Sequence, residues 1–186
     1  MLEGNSSCQA RKLIPAIKPA ALRLVSSLQF QASYAFVDAR FLDALSIGSN
    51  SPFADGDGNI QVSPGNQLPA IPRHRVKVGV DYAVTDKWHV GADMVAASGQ
   101  VAFGNENGAL PQAPGYAVFG LHTSYQVGKQ VQIYGLVQNL FDQRYYTGGA
   151  LFDITELPNS APNLTNPTSL GPARPFAIYG GLRITL

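Results

Sequence analysis

Apolar and polar residues alternate along several stretches of the chain, and the clearest of these opens the segment Gln130–Tyr146. Val131, Ile133 and Val137 fall at odd positions, whereas most even positions there are occupied by glutamine. Successive side chains of a β-strand point to opposite faces of the sheet. The pattern therefore predicts a strand with one apolar and one polar face.

The same alternation recurs along the chain and predicts an all-β fold, an antiparallel up-and-down meander of about six strands with no convincing helix. The predicted strands are Leu28–Phe36, Arg75–Val84, Trp88–Ala97, Tyr116–Val127, the stretch that begins at Gln130, and Phe176–Leu186. Each is about ten residues long, which is the length that a tilted strand needs to cross a bilayer.

The connections between these strands alternate between short and long. Thr85–Lys87 and Val127–Lys129 are tight turns, whereas Phe41–Pro72, Gly99–Gly115 and Asp142–Arg174 are long and rich in Gly, Pro, Asn and Ser. Outer-membrane barrels keep short turns on one side of the membrane and long loops on the other. Structureless loops of this length are uncommon in compact soluble domains, so the alternation favours a membrane barrel.

Aromatic side chains support the same interpretation. Tyr82, Trp88 and Tyr125 flank the short turns on the predicted apolar face, and aromatic belts of this kind mark membrane interfaces. We predict that the apolar face contacts hydrocarbon. The alternative is a soluble barrel with the apolar face as its core, which is the commoner arrangement for alternating strands. The polar face, however, carries few of the Lys and Glu side chains that soluble surfaces display.

Composition narrows the class further. Hydrophobic residues make up 45% of the 186 residues and charged residues only 13%, whereas soluble domains carry about 25% charged residues. The net charge of +1 provides no basic footprint for nucleic acid. Mean hydropathy is close to zero, and no apolar run reaches the roughly 18 residues of a membrane helix. A transmembrane barrel combines these properties.

Candidate catalytic chemistry is sparse. Asp55–Asn59 begins like a calcium loop, but Ile60 and Asn66 stand where such a loop requires Gly and Glu. Lys77 and Asp93 are expected to form a salt bridge on the polar face. The single cysteine provides neither a disulfide framework nor a metal cluster. We therefore predict no catalytic residue, no metal site and no cofactor, and hence no enzyme.

A motif after the strand that begins at Gln130 points to a family. Asn139, Leu140, Phe141, Asp142 and Tyr145 resemble the NLFD-x-x-Y segment near the C-terminal end of TonB-dependent receptors, the outer-membrane barrels that import scarce nutrients. Other segments resemble the same family in the same order, namely Ala32–Tyr34 with Asp38–Arg40, Leu68–His74, Pro114–Tyr116 and Pro172–Arg174. The last residues are similar to the assembly signal of outer-membrane proteins, carried here by Tyr179, Gly181, Ile184 and Leu186.

The resemblance implies that residues 26–186 are the C-terminal strands and loops of a large transmembrane β-barrel, an incomplete segment located in the outer membrane. Receptors of this family have about 22 strands and an N-terminal plug that contacts the energy-transducing protein TonB. The implied partners are outer-membrane lipid, the plug and remaining strands of the receptor, TonB through that plug, and a small-molecule ligand. The usual ligand in the family is a metal chelate, an iron–siderophore complex.

Aromatic residues in the long loops are the candidate ligand contacts, and they are Phe103, Tyr145, Tyr146 and Phe152. Residues 1–25 fall outside the family pattern. Their prolines and interspersed basic residues predict an irregular segment and no signal peptide.

Two other functions are compatible with alternating strands. The first is a small complete outer-membrane barrel of porin type, which needs at least about eight strands. The second is a soluble ligand-binding barrel of lipocalin type.

Overall fold

A computed structural model describes residues 10–13, 20–25, 27–154 and 166–185, the first two ranges by their backbone alone. The described residues form thirteen β-strands. None of them belongs to a helix with the length and hydropathy of a membrane span. In chain order the strands are β1 (Ala10–Leu13), β2 (Ala20–Val25), β3 (Leu28–Phe36), β4 (Asp38–Phe41), β5 (Leu45–Gly48), β6 (Asn59–Val62), β7 (His74–Thr85), β8 (Trp88–Ala97), β9 (Tyr116–Gln126), β10 (Val131–Gln138), β11 (Tyr146–Leu151), β12 (Thr168–Pro172) and β13 (Ala177–Ile184).

Seven strands form one open antiparallel sheet in the order β13-β10-β9-β8-β7-β3-β2. Each strand of this sheet pairs with the sheet strand that precedes or follows it along the chain, so the topology is an up-and-down meander. Valine occupies positions 76, 78, 80 and 84 of β7, with Tyr82 between the last two, and β-branched and aromatic residues favour a pleated strand. The predicted fold class is confirmed, with β2 as one strand more than predicted.

Two strands lie in the N-terminal segment, where the sequence analysis expected irregular structure. β2 pairs with β3, and β1 pairs with β4. Both strands are short and are separated by prolines, so neither has a run of alternation long enough to be recognised. Their backbone hydrogen bonds come from neighbouring strands, which a local pattern does not reveal. The division of the chain after residue 25 stays a prediction.

Short and long connections alternate along the meander. Residues 86–87 join β7 to β8, and residues 127–130 join β9 to β10. Residues 37–73, 98–115 and 139–176 separate the other neighbours from β3 onward. In an antiparallel meander this alternation places all short turns at one end of the strands and all long connections at the other end. We call the seven-stranded sheet the wall, and its two ends the short-turn end and the long-loop end.

The two faces of the sheet differ as the alternation predicted. The apolar face carries residues such as Val80, Trp88, Ile133 and Leu182, which the strand register places on the same face of the sheet. No layer of the described structure covers this face, since Ile133 is 47% exposed and Leu182 66% exposed. It is therefore not the dry core of a soluble barrel.

The hydrophobic core lies in the long connections instead of the sheet. Residues 38–72, 98–115, 146–151 and 168–172 pack together at the long-loop end, and we call them the loop platform. Within the described residues, the buried hydrophobic side chains are Ala39, Phe41, Ile60, Val62, Val101, Ala102, Ala113 and Leu151. All of them belong to this platform.

Backbone hydrogen bonds join the separate connections of the platform. The N–H of Ala70 donates to the carbonyl of Val101 at 2.9 Å. The N–H of Phe103 donates to the carbonyl of Gly149 at 3.0 Å, and the N–H of Leu151 donates to the carbonyl of Phe103 at 2.7 Å. Three connections that are distant in sequence therefore form one bonded structure above the wall.

Candidate functional site

The aromatic residues predicted to flank the short turns lie together on the apolar face. Trp88 is paired with Tyr125 across β8 and β9, and Tyr82 is paired with Val90 across β7 and β8. All three aromatic rings are exposed. The indole Nε1 of Trp88 donates to the hydroxyl of Thr123 at 3.0 Å. A row of amphipathic rings suits a membrane interface, and that role stays a prediction.

The polar members of the NLFD segment form a clamp at the long-loop end. Asn139 is only 6% exposed, and its side-chain amide donates to the carbonyls of Gln143 at 2.9 Å and Arg174 at 3.1 Å. Its Oδ1 accepts from the N–H of Gln143 at 2.9 Å. Asp142 accepts from the N–H of Phe176 at 3.0 Å. The clamp therefore holds the end of β10 against the start of β13.

The backbone explains why Asn and Asp occupy these positions. Asn139 and Asp142 have φ angles of 49° and 47°, in the left-handed region that Asn and Asp tolerate better than most side chains.

The apolar residues of the NLFD segment, Leu140 and Phe141, contact Phe119 of β9 and take no side-chain part in the clamp. The N–H of Leu140 donates to the carbonyl of Phe119 at 2.8 Å. Phe141 is 71% exposed, and its ring meets that of Phe119 edge to face with centroids 5.4 Å apart. Phe176, directly before β13, is also exposed. These phenylalanines form an apolar row at the long-loop end.

A titratable cluster crosses three strands of the polar face. The Nε2 of His122 on β9 lies 2.7 Å from the Oδ1 of Asp81 on β7, and its Nδ1 lies 4.0 Å from the Oδ1 of Asp93 on β8. Gly91 provides the space for the imidazole, because a Cβ there would collide with the ring and would lie 2.8 Å from the carbonyl oxygen of Val80.

The salt bridge expected between Lys77 and Asp93 is not formed; the ion-pair contact of Asp93 is His122. The cause is Gly120, which is paired with Asp93 across β8 and β9. A Cβ at Gly120 would lie 2.7 Å from the Asp93 carboxylate, so this carboxylate folds over β9. Lys77 lies on β7, on the opposite side of β8.

A recess of about 220 Å³ opens on the polar face at the long-loop end. Tyr145, Gln138 and Arg174 line its upper part, and Asp93 with Gly120 lies at its deeper end. Apolar side chains of Val118 and Leu136 also line it. The recess therefore combines hydrogen-bond donors beside the platform with a carboxylate farther down the wall.

Contacts fix the groups of this recess. The ring of Tyr145 packs against that of Tyr116, with centroids 4.7 Å apart. The Nη1 of Arg174 lies 3.4 Å from the Oε1 of Gln138. The sequence predicted Tyr145 as a ligand contact, whereas Arg174 was recognised only as part of the family segment before the last strand. The clamp at Asn139 brings the two together, and no local signal marks that contact.

The other candidate ligand contacts lie in the platform or next to it. Phe103 is exposed and its backbone is bonded to β11, and Tyr146 begins β11 opposite Pro172 of β12. The N–H of Phe152 donates to the carbonyl of Pro167 at 3.1 Å. The structure therefore places one of the four predicted residues, Tyr145, in the recess. Phe103 and Tyr146 lie in the platform, and Phe152 directly follows its strand β11. Their role as ligand contacts stays a prediction.

The predicted assembly signal occupies both faces of β13. Tyr179 and Gly181 lie on the polar face and Ile184 on the apolar face, as their register with β10 shows. A Cβ at Gly181 would collide with the ring of Tyr134, which explains a small residue there. Leu186 lies outside the described residues.

In the loop that begins like a calcium site, the first carboxylate is bonded to backbone groups of the same loop. The Oδ1 of Asp55 accepts from the N–H groups of Asp57 at 3.1 Å and Asn59 at 2.9 Å. In the part of the chain that the structure describes, no group of three or more His, Cys, Asp or Glu side chains is placed to hold a metal ion.

An open meander with an exposed apolar face, a polar face and alternating connections defines the wall of a membrane-type β-barrel. A family model described as TonB dependent receptor-like, beta-barrel, matches residues 18–140. The chain belongs to this family, as the resemblance predicted, and the match begins within the N-terminal segment that the sequence analysis had placed outside the family pattern.

Solved structures share the fold. The siderophore receptor PiuA from Acinetobacter baumannii superposes with a TM-score of 0.67 at 17% identity over 89% of this chain and 20% of that one. The ferric yersiniabactin uptake receptor FyuA from Yersinia pestis gives 0.63 at 16% identity over 89% and 22%. The copper transporter OprC gives 0.57 at 18% identity over 90% and 23%.

The chain therefore spans about a fifth of the length of the solved structures it matches. At these identities the similarity establishes the fold. The family consists of outer-membrane transport receptors and not of enzymes, in agreement with the prediction that the chain has no catalytic role.

Proposed function

We propose that this chain is the C-terminal part of the barrel of a TonB-dependent outer-membrane receptor, and that the receptor imports an iron–siderophore complex. The family match supports the receptor barrel. The ordered motifs that end with Asn139–Asp142 and Pro172–Arg174 support the C-terminal position. The siderophore and ferric yersiniabactin receptors among the structural neighbours support the class of cargo.

The observation that carries the proposal is the sidedness of the wall. One face is apolar, uncovered and bordered by aromatic rings at both ends. The other face carries His122, Asp81, Asp93 and Arg174, and its recess opens beside the loop platform. Hydrocarbon on one side and a hydrated lumen on the other account for this difference.

The partners follow from that placement. Outer-membrane lipid covers the apolar face, and further barrel strands of the receptor pair with the open edges of the sheet. The platform forms part of the external mouth, where Phe103, Tyr146 and Phe152 contact the ligand, and Tyr145 contacts it in the recess. TonB acts through the plug, which another part of the receptor provides.

Uptake of radioactive iron tests the proposal. Cells that express the protein from its native gene under iron limitation should import ferric siderophore, and deletion of the gene or of TonB should abolish that import. Phe103→Ala with Phe152→Ala should raise the concentration for half-maximal uptake several-fold. Val127→Ala, at the short-turn end, is the matched control and should leave uptake unchanged.

Other outcomes would assign another function. Uptake of copper and not of iron would give the protein the cargo named for OprC. Passage of small solutes that does not require TonB would indicate a porin, and recovery of a soluble monomer without detergent would indicate a lipocalin-like barrel.

A further inference from the structure

We propose that the recess beside the platform is an anion subsite in which Arg174 binds a carboxylate of the imported ligand. The inference rests on the proposed function, because it names the chemical class of the cargo. It selects a carboxylate-bearing, negatively charged chelate over a neutral one.

Arg174 is held in place, and no carboxylate among the described residues forms an ion pair with it. Its carbonyl is held by Asn139 at 3.1 Å, and its guanidinium makes a long contact to the Oε1 of Gln138 at 3.4 Å. The ion pairs of the described residues join Asp38 to arginines and His122 to aspartates, and none includes Arg174. A guanidinium has five N–H donors, and the exposed Arg174 side chain lines the recess, so it has donors to offer a ligand there beyond the contact to Gln138.

The shape of the Arg174 guanidinium favours a carboxylate as the bound group. The guanidinium is a planar fork that matches two carboxylate oxygens, and such charge-assisted pairs are stronger than neutral hydrogen bonds. Tyr145, held against Tyr116 at 4.7 Å, adds an aromatic ring and a hydroxyl to the same lining. A chelate with peripheral carboxylates presents paired acceptor oxygens to the guanidinium of Arg174.

Asp93 determines the orientation of the ligand in the subsite. Its carboxylate lies at the deeper end of the recess, and its ion-pair contact is His122 at 4.0 Å. A second negative group of the ligand would be repelled there, whereas a hydroxyl or ammonium donor would be accepted. The anionic end of the ligand therefore points to the platform and the neutral or donor end points down the wall.

Binding of radioactive citrate without iron to outer membranes that carry the protein from its native gene tests the subsite directly. Arg174→Gln should raise the Kd for citrate about ten-fold or more, as expected for the loss of a charge-assisted pair. The Kd of Arg174→Lys should lie between those of the unmodified protein and of Arg174→Gln, because the lysine ammonium keeps the charge but lacks the planar fork of the guanidinium. Arg183→Gln removes an exposed arginine from the polar face at the opposite end of the wall and should change nothing.

Two chelates complete the design: ferric citrate, which is anionic, and ferric maltol, which is neutral. Selective loss of the anionic chelate in Arg174→Gln supports the subsite, with folding checked by heat modifiability in electrophoresis. Equal loss of both chelates, no loss of either, or no citrate binding by the unmodified protein overturns it. Citrate binding that depends on Arg174, without TonB-dependent uptake of any iron chelate, would retain the subsite and reject the proposed function.

Discussion

At the scale of single residues, Asn139 shows how a family motif acts through geometry. Its side chain uses both its amide donors and its acceptor within the turn, with Gln143 and Arg174 as partners. The positive φ of 49° adds a backbone requirement. Hydrogen bonding and backbone conformation therefore both favour asparagine, and together they align the last strand of the sheet.

Substitution at Asn139 separates these two contributions. Asn139→Gly keeps the left-handed backbone but removes the three hydrogen bonds of the side chain, and should lower the free energy of unfolding by about 1–3 kcal/mol. Asn139→Ala should cost about 1 kcal/mol more, because alanine resists the left-handed region. Urea titration of the chain in detergent micelles measures both values.

Gln143→Ala is the control for that series. Gln143 contributes its backbone N–H and carbonyl to the clamp, so removal of its exposed side chain should leave the unfolding curve in place. Equal stability of the alanine and glycine variants of Asn139 would contradict the backbone argument.

At the scale of elements, the hairpin of β5 and β6 shows where the buried hydrophobic contacts of the chain lie. Ile60 and Val62 are each 1% exposed, although both lie in a connection that is rich in polar residues. The wall needs no such packing within the chain, because its apolar face is open. The platform therefore has its own cooperative core.

Truncation in that hairpin should loosen the platform and leave the wall intact. Ile60→Ala creates a cavity and should destabilise the platform by about 2–5 kcal/mol. Phe53→Ala lies between the same two strands, is 61% exposed, and should cost little. Limited proteolysis should cut residues 38–72 faster in the first variant only, and equal cleavage of both would show that the platform has no packed core.

At the scale of the whole molecule, the described part of the wall ends in two strands, β2 and β13, that each pair there on one side only. The seven strands of this sheet are fewer than the roughly eight of the smallest closed barrels. Unpaired strand edges are templates for further pairing. We therefore expect another strand of a receptor, or another copy of the isolated chain, to add to the sheet at the outer edge of β13.

The register identifies the residues of that edge. The N–H of Thr185 donates to the carbonyl of Gln130 at 2.9 Å, and hydrogen-bonded positions alternate in an antiparallel pair. The N–H of Arg183 therefore points to β10 and that of Leu182 points outward. Leu182→Pro should remove the outward donor and lower association of the isolated chain in detergent several-fold, as measured by sedimentation.

Arg183→Pro is the matched control, since it breaks the pairing with β10 and should unfold β13 without protecting the edge. If Leu182→Pro associates as strongly as the unmodified chain, another surface mediates the association.

The sequence by itself determined six of the seven strands of the wall, the two faces, the alternation of connections and the family, but not the short strands within the long connections. These features are local: period-two alternation sorts Val131, Ile133 and Val137 from the glutamines between them, and the NLFD segment is contiguous. For the same reason the strands β1 and β2 were missed, because they are short and lie beside prolines.

Only the tertiary structure decided which distant residues meet. Asp93 turns to His122 and away from Lys77 because the register places Gly120 beside it. Arg174 reaches the recess of Tyr145 because a clamp at Asn139 ties the ends of a long connection together. A spacing in sequence does not fix register or loop closure, and both depend on backbone hydrogen bonds between segments far apart in the chain.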